Sequence, residues 1–343
     1  MTKLPTKMAA EIRQAPDVVA RQAGSLRQPI GDLVARLKSA PPRIVVTVAR
    51  GSSAHAAAFA KHLIERRFGI PVAAAAPNIA TVYHKDLRLD GQVLLAISQS
   101  GGSDDLIEQA KSAKRSGALV VALTNTSGSP LATVSDIVLP LGAGPEMSVA
   151  ATKTFVATLT ALLRLVAAWN GEDALERALA RLPQRLARAA ELDWSAALTV
   201  FTQASSLVAI GRGPTLAIAR EAALKLKETS DLHAEAFSGA EFLHGPVALV
   251  SGRYPILMFT PSDEAAPGLS TLASDLRAKG AALFAVEGGK SGQGFLPALG
   301  PEHPEADAVC MIQSFYAMAV RLAELRGKDV DHPRHLKKVT RTR

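Results

Sequence analysis

Small polar residues cluster where an apolar run of the sequence gives way to a helical pattern. The stretch AISQSGGSDD, residues 96–105, continues the apolar run VLLA and precedes LIEQAKSAKR, which has helical spacing. Serine hydroxyls and the glutamine amide supply neutral hydrogen-bond donors, and glycines let the backbone approach an anion closely. A helix start adds free N–H groups and a partial positive charge. This combination predicts a cradle for a small phosphorylated ligand.

A second turn of the same kind, ARGSSAH at residues 49–55, also follows an apolar run and opens a helix. In open parallel sheets, ligands bind beyond the carboxyl ends of the strands, so the two turns are expected to share one edge. The alternative for Ser103 is a helix N-cap, with Asp104 and Asp105 complementing the helix dipole. The sequence has neither a P-loop nor a dinucleotide glycine fingerprint. The predicted phosphate ligands are Ser53, Ser98, Gln99, Ser100 and Ser103.

Ionisable residues recur later, in REAALKLKETSDLHAEAFSGAEFLHGP. On a helix, Glu221, Lys225 and Glu228 share one face. On spacing alone, the ordinary interpretation is a solvent-facing ladder of ion pairs, whereas the interleaved alanines and leucine argue for burial. His244 precedes a Gly-Pro turn and is a candidate for either a structural or a catalytic role. From the residues alone, this group stays open between a structural and a catalytic role.

The sequence contains an internal repeat, and this repeat indicates how these groups are positioned. RIVVTVARGSSAHAAAFAKHLI at 43–64 and SSLVAIGRGPTLAIAREAALKL at 205–226 share a plan of apolar strand, Arg-Gly turn and alanine-rich helix. The two Arg-Gly pairs lie 162 residues apart, as do ISQS at 97 and FTPS at 259. Matches in order at one spacing indicate a duplicated domain. FTPSDEAAP lacks the paired glycines, so phosphate binding is expected in the first copy only.

Each copy alternates short apolar strands with helices, which is the doubly wound α/β pattern. In the first copy, strands are predicted at 43–49, 72–76, 92–98, 118–124 and 136–141, and helices at 53–67, 103–116 and 150–169. We predict a flavodoxin-like, mostly parallel sheet flanked by helices in each copy. The predicted segments are an N-terminal helical segment 1–38, a first domain 39–170, a helical linker 171–195, a second domain 196–328 and a C-terminal loop 329–343.

Composition bounds the remaining possibilities. The 343 residues are 48% hydrophobic, carry a net charge of +8 and include one cysteine, Cys310. No internal disulfide is therefore possible, and no Cys/His cluster has zinc-ligand spacing. Basic residues are spread along helices and aromatics are few, which argues against nucleic-acid binding. Without a signal-like or membrane-spanning run, we expect a cytoplasmic protein that does not contact membranes.

Four motifs make the sequence recognisable: SQSG, ATKTF at 151–155, EAALKLKETSDLHAEAFSGAEFLHGP and GKDVDHPRHLKKVT. They resemble the isomerase half of glucosamine-6-phosphate synthase, which consists of two SIS (sugar isomerase) domains. The resemblance covers nearly the whole chain. It implies two tandem SIS domains, a homodimer with shared active sites, a small sugar phosphate as ligand, and no metal or organic cofactor.

The resemblance also implies roles for individual residues. Glu228 resembles the base that moves a proton between C1 and C2, and His244 resembles the ring-opening group lent by the neighbouring subunit. Lys338 resembles the C-terminal-loop lysine that can form an imine at C2. Val149 would contact the sugar through its backbone. The supporting groups beside the base would be Glu221 and Lys225, and the five polar residues of the cradle would hold the phosphate.

The family's glutaminase half has no counterpart in this sequence, so ammonia is not expected to come from glutamine. This arrangement is similar to SIS-type deaminases, which convert glucosamine 6-phosphate to fructose 6-phosphate and ammonia. The alternatives are a fructosamine-6-phosphate deglycase, a galactosamine-6-phosphate deaminase or isomerase, and a non-catalytic sugar-phosphate sensor. Arg50 stands where the synthase has cysteine in a Cys-Gly-Thr-Ser turn, and this departure leaves the sugar preference open.

Overall fold

The structure of the protein is a computed structural model that describes residues 6–338. The predicted terminal segments extend beyond this range, and residues 1–5 and 339–343 lie outside it. The chain divides into two compact units. The first-sheet unit comprises residues 17–146 and 153–179 and the chain from 337 onward. The second-sheet unit comprises the chain up to residue 16, residues 147–152 and residues 180–336.

Ten strands form two separate five-stranded sheets within the described residues, and every strand pairing is parallel. Their near-continuous Val, Ile, Leu and Ala content is typical of parallel strands covered on both faces. The strands are β1 Val45–Ala49, β2 Val72–Ala74, β3 Val93–Ile97, β4 Leu119–Thr124, β5 Ile137–Pro140, β6 Ser206–Gly211, β7 His233–Ser238, β8 Pro255–Phe259, β9 Ala282–Val286 and β10 Phe295–Leu296.

Helices connect consecutive parallel strands except at β9 and β10, where residues 287–294 form the link without a helix. A short 3-10 turn, Pro246–Leu249, follows the eleventh helix. The helices are α1 Lys7–Ser25, α2 Arg27–Ser39, α3 Ser52–Phe68, α4 Asn78–Thr81, α5 Asp104–Arg115, α6 Pro130–Val134, α7 Lys153–Asn170, α8 Asp173–Ala190, α9 Ser195–Phe201, α10 Pro214–Ser230, α11 Gly239–Leu243, α12 Ala266–Ala278 and α13 Pro304–Leu325.

The first sheet has the strand order β2-β1-β3-β4-β5, which is the flavodoxin-like doubly wound order. Its core joins alternate residues of β3 and β4 to the apolar face of α5, including Leu94, Val120 and Leu106. Helix α7 is buried along nearly its whole length in this unit. The five strands lie inside the ranges predicted from the sequence, so the predicted fold class is confirmed.

The second sheet repeats the first. Its order, β7-β6-β8-β9-β10, is the same topology, and its core packs β6, β8 and β9 against α11 and α12. Strand β8 begins 162 residues after β3, and α10 begins 162 residues after α3. The offset inferred from the Arg-Gly pairs is therefore the offset between equivalent structural elements, and the duplication is confirmed.

Within residues 6–338, α13 is the one helix long and apolar enough to cross a bilayer by length and composition. However, 78% of its most apolar window is buried inside the fold. It packs along α10, the helix that carries the predicted acid–base residues. Its apolar character is therefore accounted for by burial in the core of the second-sheet unit.

Candidate functional site

Two polar turns of the first-sheet unit leave the sheet side by side. Strands β1 and β3 are direct neighbours, and Ala49 pairs with Ile97 at the end of their register. The connection from β1 goes to β2 on one side, and that from β3 goes to β4 on the other. This reversal is the topological switch point, where the crevice of a doubly wound sheet takes its ligand.

The turn after β1 is built around Gly51. Its backbone angles, φ 54° and ψ −133°, lie in a region that a residue with a side chain rarely adopts. Helix α3 begins at the next residue, so Ser52 and Ser53 belong to a first turn whose N–H groups have no intrahelical acceptor. Ser53 is half-buried there. The turn thus presents a hydroxyl and helix-start amides to the crevice.

The turn after β3 folds tightly on its own serines. The Gly101 N–H donates to Ser98 Oγ at 3.2 Å, and the Gly102 N–H donates to Ser100 Oγ at 3.3 Å. Gly101 has φ 62°, and a Cβ there would lie 2.1 Å from Ser129 Oγ, so this position requires glycine. The turn is therefore fixed by packing before any ligand binds.

Ser103 occupies the N-cap position of α5 with an extended backbone, φ −79° and ψ 118°. Its side chain nevertheless makes no capping hydrogen bond within α5, whose residues the structure describes in full. Ser103 is therefore the N-cap residue by position, with Asp104 and Asp105 in the first turn as expected, but its hydroxyl does not make the capping bond. Its half-buried hydroxyl lies on the cradle turn.

Arg50 links the two turns. Its Nε and Nη2 donate to one oxygen of Asp105 at 3.0 and 2.9 Å. The Asp105 side chain is 1% exposed, whereas that of Arg50 is 54% exposed. The buried carboxylate on α5 thus holds a largely exposed guanidinium at the mouth of the crevice.

The structure brings Lys338 to this cradle through a residue that sequence reasoning missed, Glu146. Lys338 Nζ donates to Glu146 Oε2 at 3.0 Å, and Gln99 Nε2 approaches the same oxygen at 3.4 Å. Glu146 lies between the end of β5 and the start of α7, at the edge of the sheet that carries the other turns. Its position shortly after a predicted strand was the sequence signal that could have identified Glu146 as a site residue.

Helix α10 of the second-sheet unit carries a buried chain of charges. Lys225 Nζ lies 3.3 Å from Glu221 Oε1 and also donates to Glu228 Oε2. The side chains of Glu221 and Lys225 are 0% exposed, and that of Glu228 is 20% exposed. The solvent-facing ladder is therefore wrong for Glu221 and Lys225. Of these three side chains, that of Glu228 is the one that reaches solvent.

Burial alone would lower the pKa of Lys225, but the carboxylates of Glu221 and Glu228 outweigh it and raise the pKa. Lys225 is therefore a buried cation. The hydroxyl of Tyr316, on α13, donates to Glu221 Oε1 at 3.2 Å, at the end of this row of charged side chains opposite Glu228. The arrangement fixes the position of the Glu228 carboxylate.

His244 ends the short helix α11, where its N–H donates to the Glu241 carbonyl at 3.0 Å, and it is exposed. Exposed apolar side chains flank it, with Leu243 at 57% and Leu249 at 46%. The N–H of Val149 donates to the Asp331 carbonyl at 3.2 Å. A sugar contact through the backbone of Val149 would therefore use its carbonyl oxygen.

At the equivalent edge of the second sheet, the hydroxyl groups donate hydrogen bonds to other groups of the same unit. Thr215 replaces Ser53 and donates to the Phe259 carbonyl at 2.6 Å. Ser262 replaces Ser100 and donates to Asp307 at 2.6 Å. The cavity between Ser262, Asp307 and Arg185 measures about 10 Å³, room for one water. These contacts support the expectation that the second copy does not bind the phosphate.

The predicted site residues fall into one group per unit. Among residues 6–338, no group of three or more His, Cys, Asp or Glu side chains is arranged to hold a metal ion. The first-sheet unit holds Ser53, Ser98, Gln99, Ser100, Ser103 and Lys338, and the second-sheet unit holds Val149, Glu221, Lys225, Glu228 and His244.

Comparison with known proteins finds one family whose model matches most of the chain. The SIS domain model matches residues 37–168 and 200–291. The isomerizing glutamine–fructose-6-phosphate aminotransferase of Zymomonas mobilis is 32% identical over 352 residues. That match covers 96% of this chain and 58% of the relative, so the chain spans little more than half of that protein's length.

Two solved structures are similar over nearly the whole chain. A protein of Silicibacter pomeroyi DSS-3, provisionally named a phosphosugar isomerase, is 43% identical with a TM-score of 0.91, covering 95% of this chain and 100% of that one. The C-terminal domain of glucosamine-fructose-6-phosphate aminotransferase from Francisella tularensis is 27% identical with a TM-score of 0.82, covering 95% and 98%.

Proposed function

This chain belongs to the SIS domain family and is related to the isomerase half of the aminotransferases, and from that premise we propose that it is an isomerising glucosamine-6-phosphate deaminase. The proposed reaction converts glucosamine 6-phosphate and water to fructose 6-phosphate and ammonia. The observation that carries the proposal is the buried charge chain of α10, which holds Glu228 in place at its partly exposed end.

The phosphate is proposed to bind at the switch point of the first sheet. The hydroxyls of Ser53, Ser98, Ser100 and Ser103 and the Gln99 amide are neutral donors, and α3 and α5 add the positive ends of their dipoles. A phosphate anchored far from C2 supplies binding energy and orientation to the proton transfer. The Arg50 guanidinium adds positive charge at the mouth.

The proton transfer is assigned to Glu228. In the open-chain aldehyde, the Glu228 carboxylate takes the C2 proton while O1 takes one from water, giving an enolamine. The carboxylic acid then returns its proton to C1 and the nitrogen gives one back to the hydroxide, so that C2 becomes an imine. Hydrolysis of this imine consumes one water and releases the nitrogen as ammonia, giving the ketone of fructose 6-phosphate. The step exchanges no electrons with any other reactant.

The other groups have supporting parts in the proposal. His244 would open the pyranose ring, and its exposure beside Leu243 and Leu249 suits a residue lent to a second copy of the chain. Lys338 would assist hydrolysis of the imine at C2, because its amine would add to C2 and expel the ammonia before water hydrolyses the resulting Lys338 imine to the ketone. The homodimer, the cytoplasmic location and the independence from cofactors stay predictions of the sequence.

One observation favours a second candidate, a deglycase for fructosamine 6-phosphates. Arg50 is the residue that departs from the synthase turn, and its side chain is 54% exposed at the crevice mouth. A guanidinium there suits a substrate with a further carboxylate, such as the amino-acid moiety of a fructosamine 6-phosphate.

The test is a product assay on a substrate panel. Glucosamine 6-phosphate, galactosamine 6-phosphate and a fructosamine 6-phosphate are each incubated with the enzyme, and ammonia, ketose phosphate and aldose phosphate are measured by coupled assays. The proposal predicts ammonia and fructose 6-phosphate in equal amounts from glucosamine 6-phosphate. Turnover of the fructosamine alone would favour the second candidate, and no turnover of any of the three would reject both.

A further inference from the structure

We propose that Glu146 is a positioning residue that holds the tail lysine, Lys338, against the phosphate cradle. The Glu146 side chain is 0% exposed. A buried carboxylate is costly unless it is paired and hydrogen-bonded, so its partners show what it is there to hold. The inference rests on the proposed function only for the role of Lys338 in turnover.

The two oxygens of Glu146 have different partners. Oε1 accepts the backbone N–H of Thr154 at 3.1 Å, in the first turn of α7, where the helix dipole favours negative charge. Oε2 accepts the Thr154 hydroxyl at 2.7 Å and Lys338 Nζ at 3.0 Å, and lies 3.4 Å from Gln99 Nε2. Helix α7 therefore fixes the carboxylate, and the carboxylate meets the lysine and the cradle with one oxygen.

Because Lys338 and Gln99 meet the same Glu146 oxygen, the Lys338 amine lies next to the cradle. Lys338 Nζ and Gln99 Nε2 both lie within 3.4 Å of the same oxygen, so they are near neighbours. Gln99 itself is tied to the sheet, because its carbonyl accepts the Asn125 N–H at 3.0 Å. The lysine side chain is 27% exposed, so its amine remains within reach of a ligand. Glu146 thus sets where the Lys338 side chain delivers its nitrogen.

The test separates this role from a purely structural one. Glu146→Gln keeps an oxygen for the Thr154 N–H but removes the charge that pairs with Lys338. Glu172→Gln is the matched control, since it breaks an ion pair with Arg67 at 2.6 Å in the same unit. Lysines are labelled with an amine-reactive ester, and the labelling of Lys338 is compared with that of its exposed neighbour Lys337 by mass spectrometry.

We expect Glu146→Gln to increase Lys338 labelling at least threefold while Lys337 labelling and that of the Glu172→Gln control stay unchanged. Unchanged Lys338 labelling would overturn the inference whatever the enzyme's substrate. This arm needs no turnover, so failure of the proposed function leaves it intact.

A double-mutant cycle supplies the catalytic arm. With whichever panel substrate the enzyme converts, Glu146→Gln should lower kcat at least tenfold, with a smaller change in KM. Adding Glu146→Gln to Lys338→Met should lower the activity no further, because each substitution alone already breaks the contact between Glu146 and Lys338. Additive losses in the double variant would mean that Glu146 acts independently of Lys338 and would overturn the inference.

Discussion

Replacing Lys225 by methionine is predicted to destabilise the second-sheet unit severely. The Lys225 side chain is 0% exposed and pairs with Glu221, also 0% exposed, and with Glu228. Methionine fills much of the same volume but removes the positive charge beside the buried Glu221 carboxylate, which also accepts a hydrogen bond from the neutral Tyr316 hydroxyl. Removing one partner of a buried ion pair costs about 3–5 kcal/mol. Each kcal/mol lowers the melting temperature of a unit this size by about 2–4 °C.

The predicted fall in melting temperature is therefore about 6–20 °C, measured by scanning calorimetry at pH 7. Lys227→Met is the matched control, because Lys227 is exposed on the same helix, and its change should stay within about 2 °C. The double variant Glu221→Gln/Lys225→Met, which removes both charges, should recover much of the loss. A Lys225→Met protein that melts like the wild type would refute the buried charge chain.

Three further predictions concern other parts of the chain. Gly101→Ala should lower stability by about 2 kcal/mol or more in a urea titration, because of the positive φ and the contact with Ser129, and an unchanged midpoint would contradict the account of the turn. Burial raises the pKa of the Cys310 thiol to about 12, so at pH 9 alkylation of the native protein should be roughly 100-fold or more slower than in urea, and equal rates would show that the thiol is exposed. The hydrogen bond from Lys328 lowers the pKa of Asp231, so this carboxylate stabilises the fold above its unfolded pKa and loses that effect as the pH falls through its lower folded pKa. The melting-temperature difference between wild type and Asp231→Asn should therefore shrink below about pH 4, and a constant difference would contradict the assignment.

Local patterns and repetition made most of the fold predictable from the sequence. Apolar runs located the strands of the first sheet, and the two Arg-Gly pairs gave the offset between the copies. Both pairs owe their recurrence to one backbone requirement, since Gly51 and Gly213 have φ 54° and 56° with ψ −133° and −127°. Such signals lie within a few residues of the structure they specify.

Long-range pairing was the part that the sequence did not reveal. The Tyr316 hydroxyl meets Glu221 across 95 positions, and Lys338 meets Glu146 across 192. Spacing placed Glu221 and Lys225 on one helix face, but only the packing of α13 along α10 decides that this face is buried. The role of Ser103 likewise depended on where its side chain points, which helix-start statistics do not determine.

The proposed reaction depends on the Glu228 carboxylate moving a proton from C2 to C1 of the sugar phosphate. The most direct test follows deuterium from C2 of labelled glucosamine 6-phosphate into C1 of the ketose phosphate product by NMR, for the wild type and Glu228→Gln, with sugar-phosphate affinity measured in parallel by calorimetry. The account predicts deuterium at C1 with the wild type, and none with Glu228→Gln at nearly unchanged affinity. Deuterium incorporation by Glu228→Gln at the wild-type rate would contradict it.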